Sequence, residues 1–253
     1  MLTTRVIPCL LLKGQGLVKT LQFKDPKYVG DPINAVKIFN EKGADELILL
    51  DIQSTLENRR PQMKLISEIA SECFMPLCYG GGIRRLEDIK EILGLGVEKV
   101  AVNTAAVETP DLIRNAVERF GSQSIVVAID VKQNAKGEYE VFTRGATVGA
   151  KLEPVELARR MEKIGCGEIF LNSIDRDGTM RGYDIELIRR VSQAVSIPVV
   201  ACGGAGRLSD FSEAVTLGGA SAVSAGSFFV FHGKLRAVLI TYPSEQELKE
   251  ISR

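Results

Sequence analysis

Residues 76–107 read PLCYGGGIRRLEDIKEILGLGVEKVAVNTAAV, and residues 198–230 read PVVACGGAGRLSDFSEAVTLGGASAVSAGSFFV. Each copy starts with a short apolar run, reaches a glycine cluster, passes through a helix-like pattern and returns to a second apolar run. Gly81 and Gly82 fall opposite Gly203 and Gly204, an offset of 122 residues. A repeat this long is no solenoid unit. It marks a duplicated half-domain, and internal similarity of that kind fixes the fold before any single element is read.

The similarity extends outward. DELILLDI from Asp45 matches GEIFLNSI from Gly167 at the same offset. RVIPCLLLKG (5–14) matches IVVAIDVKQN (125–134) when Lys13 is set against Lys132, which puts Leu11 opposite Asp130. Eight short runs, rich in β-branched residues and apolar on both faces, read as covered parallel strands: 6–12, 47–50, 76–79, 100–102, 125–129, 169–171, 198–201 and 222–225. Amphipathic stretches such as DPINAVKIFNEKGA and PVELARRMEKIG lie between them, often ending in glycine. Eight strand–helix units in two similar halves predict a (β/α)8 TIM barrel over residues 1–253, with half-barrels of about 1–122 and 123–253. An open doubly wound sheet is the alternative and explains the duplication less well.

Composition narrows the function classes. Lys plus Arg and Asp plus Glu both number 32, so no net field favours nucleic acid or an anionic membrane. The early apolar run VIPCLLL is short and contains Pro8, which argues against a signal peptide or membrane span. The five cysteines form no CxxC pair and suit free thiols in a reducing cytoplasm. With His232 the sole histidine, neither a zinc site nor a Ser/His/Asp triad is expected, and no cofactor is implied.

In such a barrel, function sits at the strand C-terminal ends. Those ends carry Leu11, Asp51, Cys78–Gly82, Asn103–Thr104, Asp130, Asn172–Ser173, Cys202–Gly204 and Ser227. Two symmetric groups stand out: GGG (80–82) with NTA (103–105), and GG (203–204) with AGS (225–227). Glycines let backbone N–H groups approach an anion. Tight turns alone would also explain one such group, but two matched groups suggest a ligand with two phosphates.

The segments VIPCL, ELILLDI, YGGGI, VNTAAVE, VVAID, NSIDRDGTMRGYD and CGGAG resemble the cyclase subunit of imidazole glycerol phosphate synthase, from Arg5 to about Phe231. The resemblance implies a barrel that takes ammonia from a glutaminase partner and binds a ribulosyl aminoimidazole-carboxamide nucleotide with a phosphate at each end. It assigns phosphate contacts to Gly82, Asn103 and Thr104 in one half, and to Asp177, Gly178, Gly204 and Ser227 in the other. It also implies a salt-bridged ammonia gate of Arg5, Glu46, Lys99 and Glu168 at the strand-start end; Glu98, beside Lys99 in the chain, is expected at the rim, where it would meet a basic group on the partner.

The family's two general acid–base aspartates end strands one and five. Asp130 matches the second, but Leu11 stands where the first is expected, and Cys78 and Asn172 replace hydroxyl residues. The related phosphoribosyl isomerase also relies on an aspartate at position 11. IPCLLLKGQGLVKT (7–20) and KYVGDPINAVKIFNEKG (27–43) resemble a branch linked to acetamidino-modified surface sugars of the O-antigen type. That resemblance implies ammonia delivery to a sugar amidotransferase that converts an N-acetyl group to an acetamidino group. Lys13–Asp31, with Lys13 and Lys19, is expected to form a lid loop. The alternatives are a histidine-pathway cyclase using Asp130 alone, and a phosphosugar-binding barrel with no glutaminase.

Overall fold

The computed structural model describes residues 4–233 and 235–251. Eight parallel strands form the barrel: β1 (Arg5–Lys13), β2 (Leu47–Asp51), β3 (Leu77–Gly80), β4 (Lys99–Val102), β5 (Ile125–Gln133), β6 (Glu168–Ser173), β7 (Val199–Cys202) and β8 (Ala222–Ala225). Each pairs with the next, and β8 pairs with β1, closing the sheet. Closure leaves the barrel no unpaired edge.

Eight helices cover it: α1 (Pro32–Glu41), α2 (Met63–Glu72), α3 (Leu86–Gly94), α4 (Asp111–Phe120), α5 (Pro154–Ile164), α6 (Ile185–Ser192), α7 (Leu208–Thr216) and α8 (Glu245–Ile251). Their starts are written in the sequence. Asp31 caps α1 by accepting from Asn34 N at 2.9 Å with Pro32 following, and Asp184 caps α6 through Leu187 N at 3.1 Å. Apolar residues at helical spacing turn inward. Fully buried Phe39 on α1 meets Phe229 edge-on at 6.2 Å. Truncating a ring so placed typically costs ~3–5 kcal/mol. Among the described residues, no helix is long and apolar enough to cross a membrane.

The duplication survives at atomic detail. Asp88 in α3 and Asp210 in α7 are both buried, and each accepts from the N–H that opens its own helix, Arg85 at 3.2 Å and Arg207 at 3.1 Å. Gly81 and Gly203 both have positive φ, +123° and +91°. A Cβ on Gly81 would collide with the Asp51 carbonyl, and one on Gly203 with the Ser173 carbonyl, the equivalent residue of the other half. Only glycine satisfies both the dihedral and the close approach.

Inside the barrel runs a second apolar cluster, separate from the helix-facing core. It comprises Ile7, Cys9, Ile48, Cys78, Ala101, Val126, Ala128, Phe170, Val200, Cys202 and Ala222, with Leu11 and Leu50 against it. This packed interior, the barrel lumen, lies between the strand starts and the strand ends.

The stretch 13–31 departs from the lid-loop expectation. It is a β-hairpin, Gly16–Leu21 and Lys24–Gly30, whose first strand adds antiparallel to β1 with Leu11 opposite Val18. Leu17 and Val18 are buried, so the segment has its own small apolar anchor. A second hairpin follows β5, where Tyr139–Thr143 pairs with 130–133 and brings Phe142 opposite Asp130. The terminal residues 1–3 and 252–253 of the two expected halves lie outside the described residues.

Candidate functional site

The strand C-terminal end opens into a cavity of about 390 Å³. Lys13, Lys19, Gly82, Asn103, Thr104, Asp130, Asp177, Gly178, Gly204 and Ser227 all line it, together with Leu11 and Asn172. The topology gathers them because each ends a strand or follows one. Arg5, Glu46, Lys99, Glu168 and Glu98 are not part of this cavity; they belong to the other end.

Asp130 sits near the end of β5, between Asn172 of β6 and Phe142 of the second hairpin. Burial pushes its carboxyl up to about 7, and the nearby Asp177 adds to the rise while a hydrogen bond from Asn172 opposes it. A group that titrates near neutrality can both give and take a proton. Leu11, near the end of β1, contributes only methyl groups to the same cavity.

Lys19 reaches deeper than the sequence implied. It is 5% exposed, and its ammonium donates to the Cys9 carbonyl inside the mouth. Burial lowers its pKa, opposed by Cys9, Asp177 and Cys202. Cys9 and Cys202 share a hydrogen bond that pushes the Cys202 thiol well up and draws Cys9 down. Asp177 and Gly178, assigned to phosphate by resemblance, hold the first hairpin closed. Asp177 Oδ2 accepts from the Thr20 hydroxyl at 2.9 Å, its carbonyl accepts from Gln22 N at 2.9 Å, and Gly178 backs onto the Thr20 carbonyl.

The two glycine groups differ in how free their neighbours are. The Asn103 amide donates to the carbonyls of Ala128 at 3.1 Å and Phe142 at 3.3 Å. The Thr104 hydroxyl donates to Asn103 Oδ1 at 3.2 Å and accepts from Arg144 N at 3.1 Å. Gly82 N donates to the Thr55 hydroxyl at 3.2 Å. In the second group Gly204 lies against Gly182, whose N–H donates to the Gly204 carbonyl at 2.8 Å, and Ser227 is buried at the start of a one-turn helix (Ser227–Val230).

At the opposite end the four charges form one ring. Arg5 donates to Glu46 and to Glu168. Lys99 Nζ donates to Glu46 Oε1 at 2.9 Å and to Glu168 Oε2 at 3.1 Å. Signs alternate around the barrel axis, with Glu46 and Glu168 buried and the two cations half-buried. Burial pulls the Lys99 ammonium down, but Glu168 and Glu46 outweigh it and the net pKa is raised. Glu98 is exposed beside this ring, yet its Oε2 is already used, accepting from Leu77 N at 2.7 Å.

Two features go beyond what the sequence reading assigned to these residues. One is the depth of Lys19, since KGQGLVKT carries no long apolar run. The other is Asn172. It is 6% exposed, and its Oδ1 has no hydrogen-bond partner although it is buried. Its sequence signal was visible: an amide stands at a strand end where a hydroxyl is usual.

The family described as histidine biosynthesis protein matches residues 5–236. A Pseudomonas aeruginosa protein named "Putative imidazole glycerol phosphate synthase subunit hisF2" is 55% identical over 248 residues, 98% of this chain and 99% of that protein. A Vibrio vulnificus protein named as the corresponding hisF3 subunit is 49% identical over 251 residues, 99% of this chain and 96% of its own length. The Alkaliphilus metalliredigens "Imidazole glycerol phosphate synthase subunit HisF" is 45% identical over 232 residues, 92% of each chain.

Proposed function

The chain belongs to the histidine biosynthesis protein family, and from that premise we propose that it is an ammonia-using barrel subunit of the imidazole glycerol phosphate synthase type. A glutaminase partner docks on the strand-start end. Ammonia passes the ring of Arg5, Glu46, Lys99 and Glu168, moves along the lumen and meets a phosphorylated ligand in the mouth. The observation that carries this reading is coaxial: a closed four-charge ring stands at one end of the apolar barrel interior, and the mouth cavity with Lys19, Asp130 and Asp177 stands at the other. A buried ring is weak as a stabilising device, because desolvation offsets much of its Coulomb attraction, so a role in transport accounts for it better.

The names of the relatives favour the cyclase of histidine biosynthesis, with Asp130 as acid and base. Leu11 favours a second reading. An acid–base group contributes ~10²–10⁴-fold to a rate, and a leucine offers none. On that reading the barrel supplies ammonia to a sugar amidotransferase, which amidinates an N-acetyl sugar of a surface polysaccharide.

The test measures turnover of the cyclase substrate with ammonium, and the activity of a glutaminase partner with and without this chain. Turnover like that of a two-aspartate cyclase selects histidine biosynthesis. Negligible turnover with an activated glutaminase selects ammonia delivery, and Leu11→Asp then restores only slight turnover because Cys78 and Asn172 also differ. A glutaminase that neither binds nor responds overturns the ammonia-using subunit altogether and leaves a phosphosugar-binding barrel.

A further inference from the structure

Strand β6 places Glu168, Phe170 and Asn172 at alternate positions, and alternate residues of a strand share a face. Glu168 belongs to the charged ring, Phe170 to the lumen cluster and Asn172 to the mouth cavity. One strand therefore runs from the ring, past the apolar lumen, to a buried amide. That amide uses its N–H side toward Asp130, the residue beside it in register. Its Oδ1 is left without a partner in a 6% exposed side chain. A buried carbonyl oxygen with no partner is destabilising, a cost that a bound donor would remove.

We propose that the Asn172 carbonyl, with the Asp130 carboxyl beside it, forms the receiving site for ammonia leaving the lumen, and so selects a nitrogen nucleophile at the mouth. The proposal rests on the ammonia-using reading above and names the residue that reads the nitrogen. Both groups act as acceptors, which suits a small molecule rich in N–H donors. An acceptor-only carbonyl also differs chemically from a hydroxyl at this position, since a hydroxyl can donate to water or to a ligand oxygen as readily as it accepts. The apolar side chains of Phe170 and Ala128 offer no donor to the two lone pairs of a competing water, whereas ammonia has three N–H donors and a single lone pair. When that nitrogen adds to the carbonyl carbon of a ligand, the new N–C bond forms as the C=O π pair moves onto oxygen, and Asp130, pushed up to about 7, takes up the proton that the nitrogen sheds.

The experiment follows the Asn172 side-chain amide signals of nitrogen-15-labelled protein while ammonium chloride is added at mildly alkaline pH. Potassium chloride is the control, a similar cation with no N–H donor. Saturable movement with ammonium and not with potassium is expected. In Asn172→Leu, followed at the carbon-13 signal of the Asp130 carboxyl, half-saturation rises about tenfold, the loss of one such hydrogen bond. Equal response to the two salts, or no saturable response in the unaltered protein, overturns the assignment. Because the ammonium is added from solution, the outcome does not depend on a glutaminase. A responding Asn172 in a protein that activates no glutaminase upholds the acceptor and overturns only the partner reading.

Discussion

The Lys19 ammonium donates to the carbonyl of Cys9, ten residues earlier in the chain, across the mouth of the barrel. The contact exists because Gly226 has no side chain: a Cβ there would collide with the Lys19 Nζ and lie 3.1 Å from the Cys9 carbonyl. A lysine tip can swing away and a backbone carbonyl cannot, so Gly226→Ala is expected to expel Lys19 while the barrel stays folded. Hydrogen exchange in the Gly16–Gly30 hairpin should then quicken, at a stability cost of about 1 kcal/mol. Unchanged protection of that hairpin would show that Lys19 does not fasten it.

The buried lysine also makes a pH prediction. Its folded pKa lies below the ordinary 10.5, with burial as the main cause. Between the two values the unfolded chain binds more protons, so stability rises with pH through that window. Lys19→Met should remove this rise in alkaline denaturant titrations. A rise that persists in the variant would place its source elsewhere.

Asp130 behaves oppositely. Its carboxyl keeps a proton up to about 7, against an ordinary 3.8. Across that range the folded state binds more protons, so stability falls as pH rises from 3.8 to 7. Asp130→Asn should therefore stabilise the protein above neutrality, by roughly 2 kcal/mol once partial exposure is discounted, and change little in acid. Melting temperatures on either side of neutrality decide it. The same variant should lose any acid–base turnover the barrel performs.

Removing one member of the charged ring leaves buried charge without compensation. Lys99→Leu leaves Glu46 and Glu168 to share Arg5 and should cost ~2–4 kcal/mol by denaturant unfolding. Adding Glu46→Leu should return part of that loss, giving a positive coupling in a double-mutant cycle. Independent losses that simply add would mean the four charges do not act as a unit. Partner glutaminase activity should fall in both variants.

Phosphate or sulfate should bind more tightly at Gly204/Ser227 than at Gly82/Asn103/Thr104. In the first half the Asn103 amide and the Thr104 hydroxyl already serve β5 and the second hairpin. The second-half position, after strands seven and eight, is also where this fold usually places phosphate. Calorimetry with Ser227→Ala and Thr104→Ala distinguishes the two. A larger loss of affinity in Thr104→Ala would reverse the order.

The sequence by itself determined the barrel. Fold class follows from patterns that are local or repeat at fixed spacing: apolar runs of strand length, helix caps such as Asp31 and Asp184, and a duplicated glycine turn that accepts no side chain. Gly81 and Gly203 could be paired by counting, and their shared collision with Asp51 and Ser173 is the structural face of that count. The charge types of the ring and the acid at 130 were legible for the same reason, since each occupies a strand start or end. Tertiary structure alone decided what depends on distance through space. It turned 13–31 from a loop into a hairpin, because strand pairing with β1 is a contact the segment's own composition does not announce. It turned Lys19 into the barrel mouth, engaged Asp177 with Thr20 and left Asn172 Oδ1 without a partner. Hydrogen bonding and desolvation depend on which groups closure of the barrel brings within about 3 Å, and separation along the chain does not encode that.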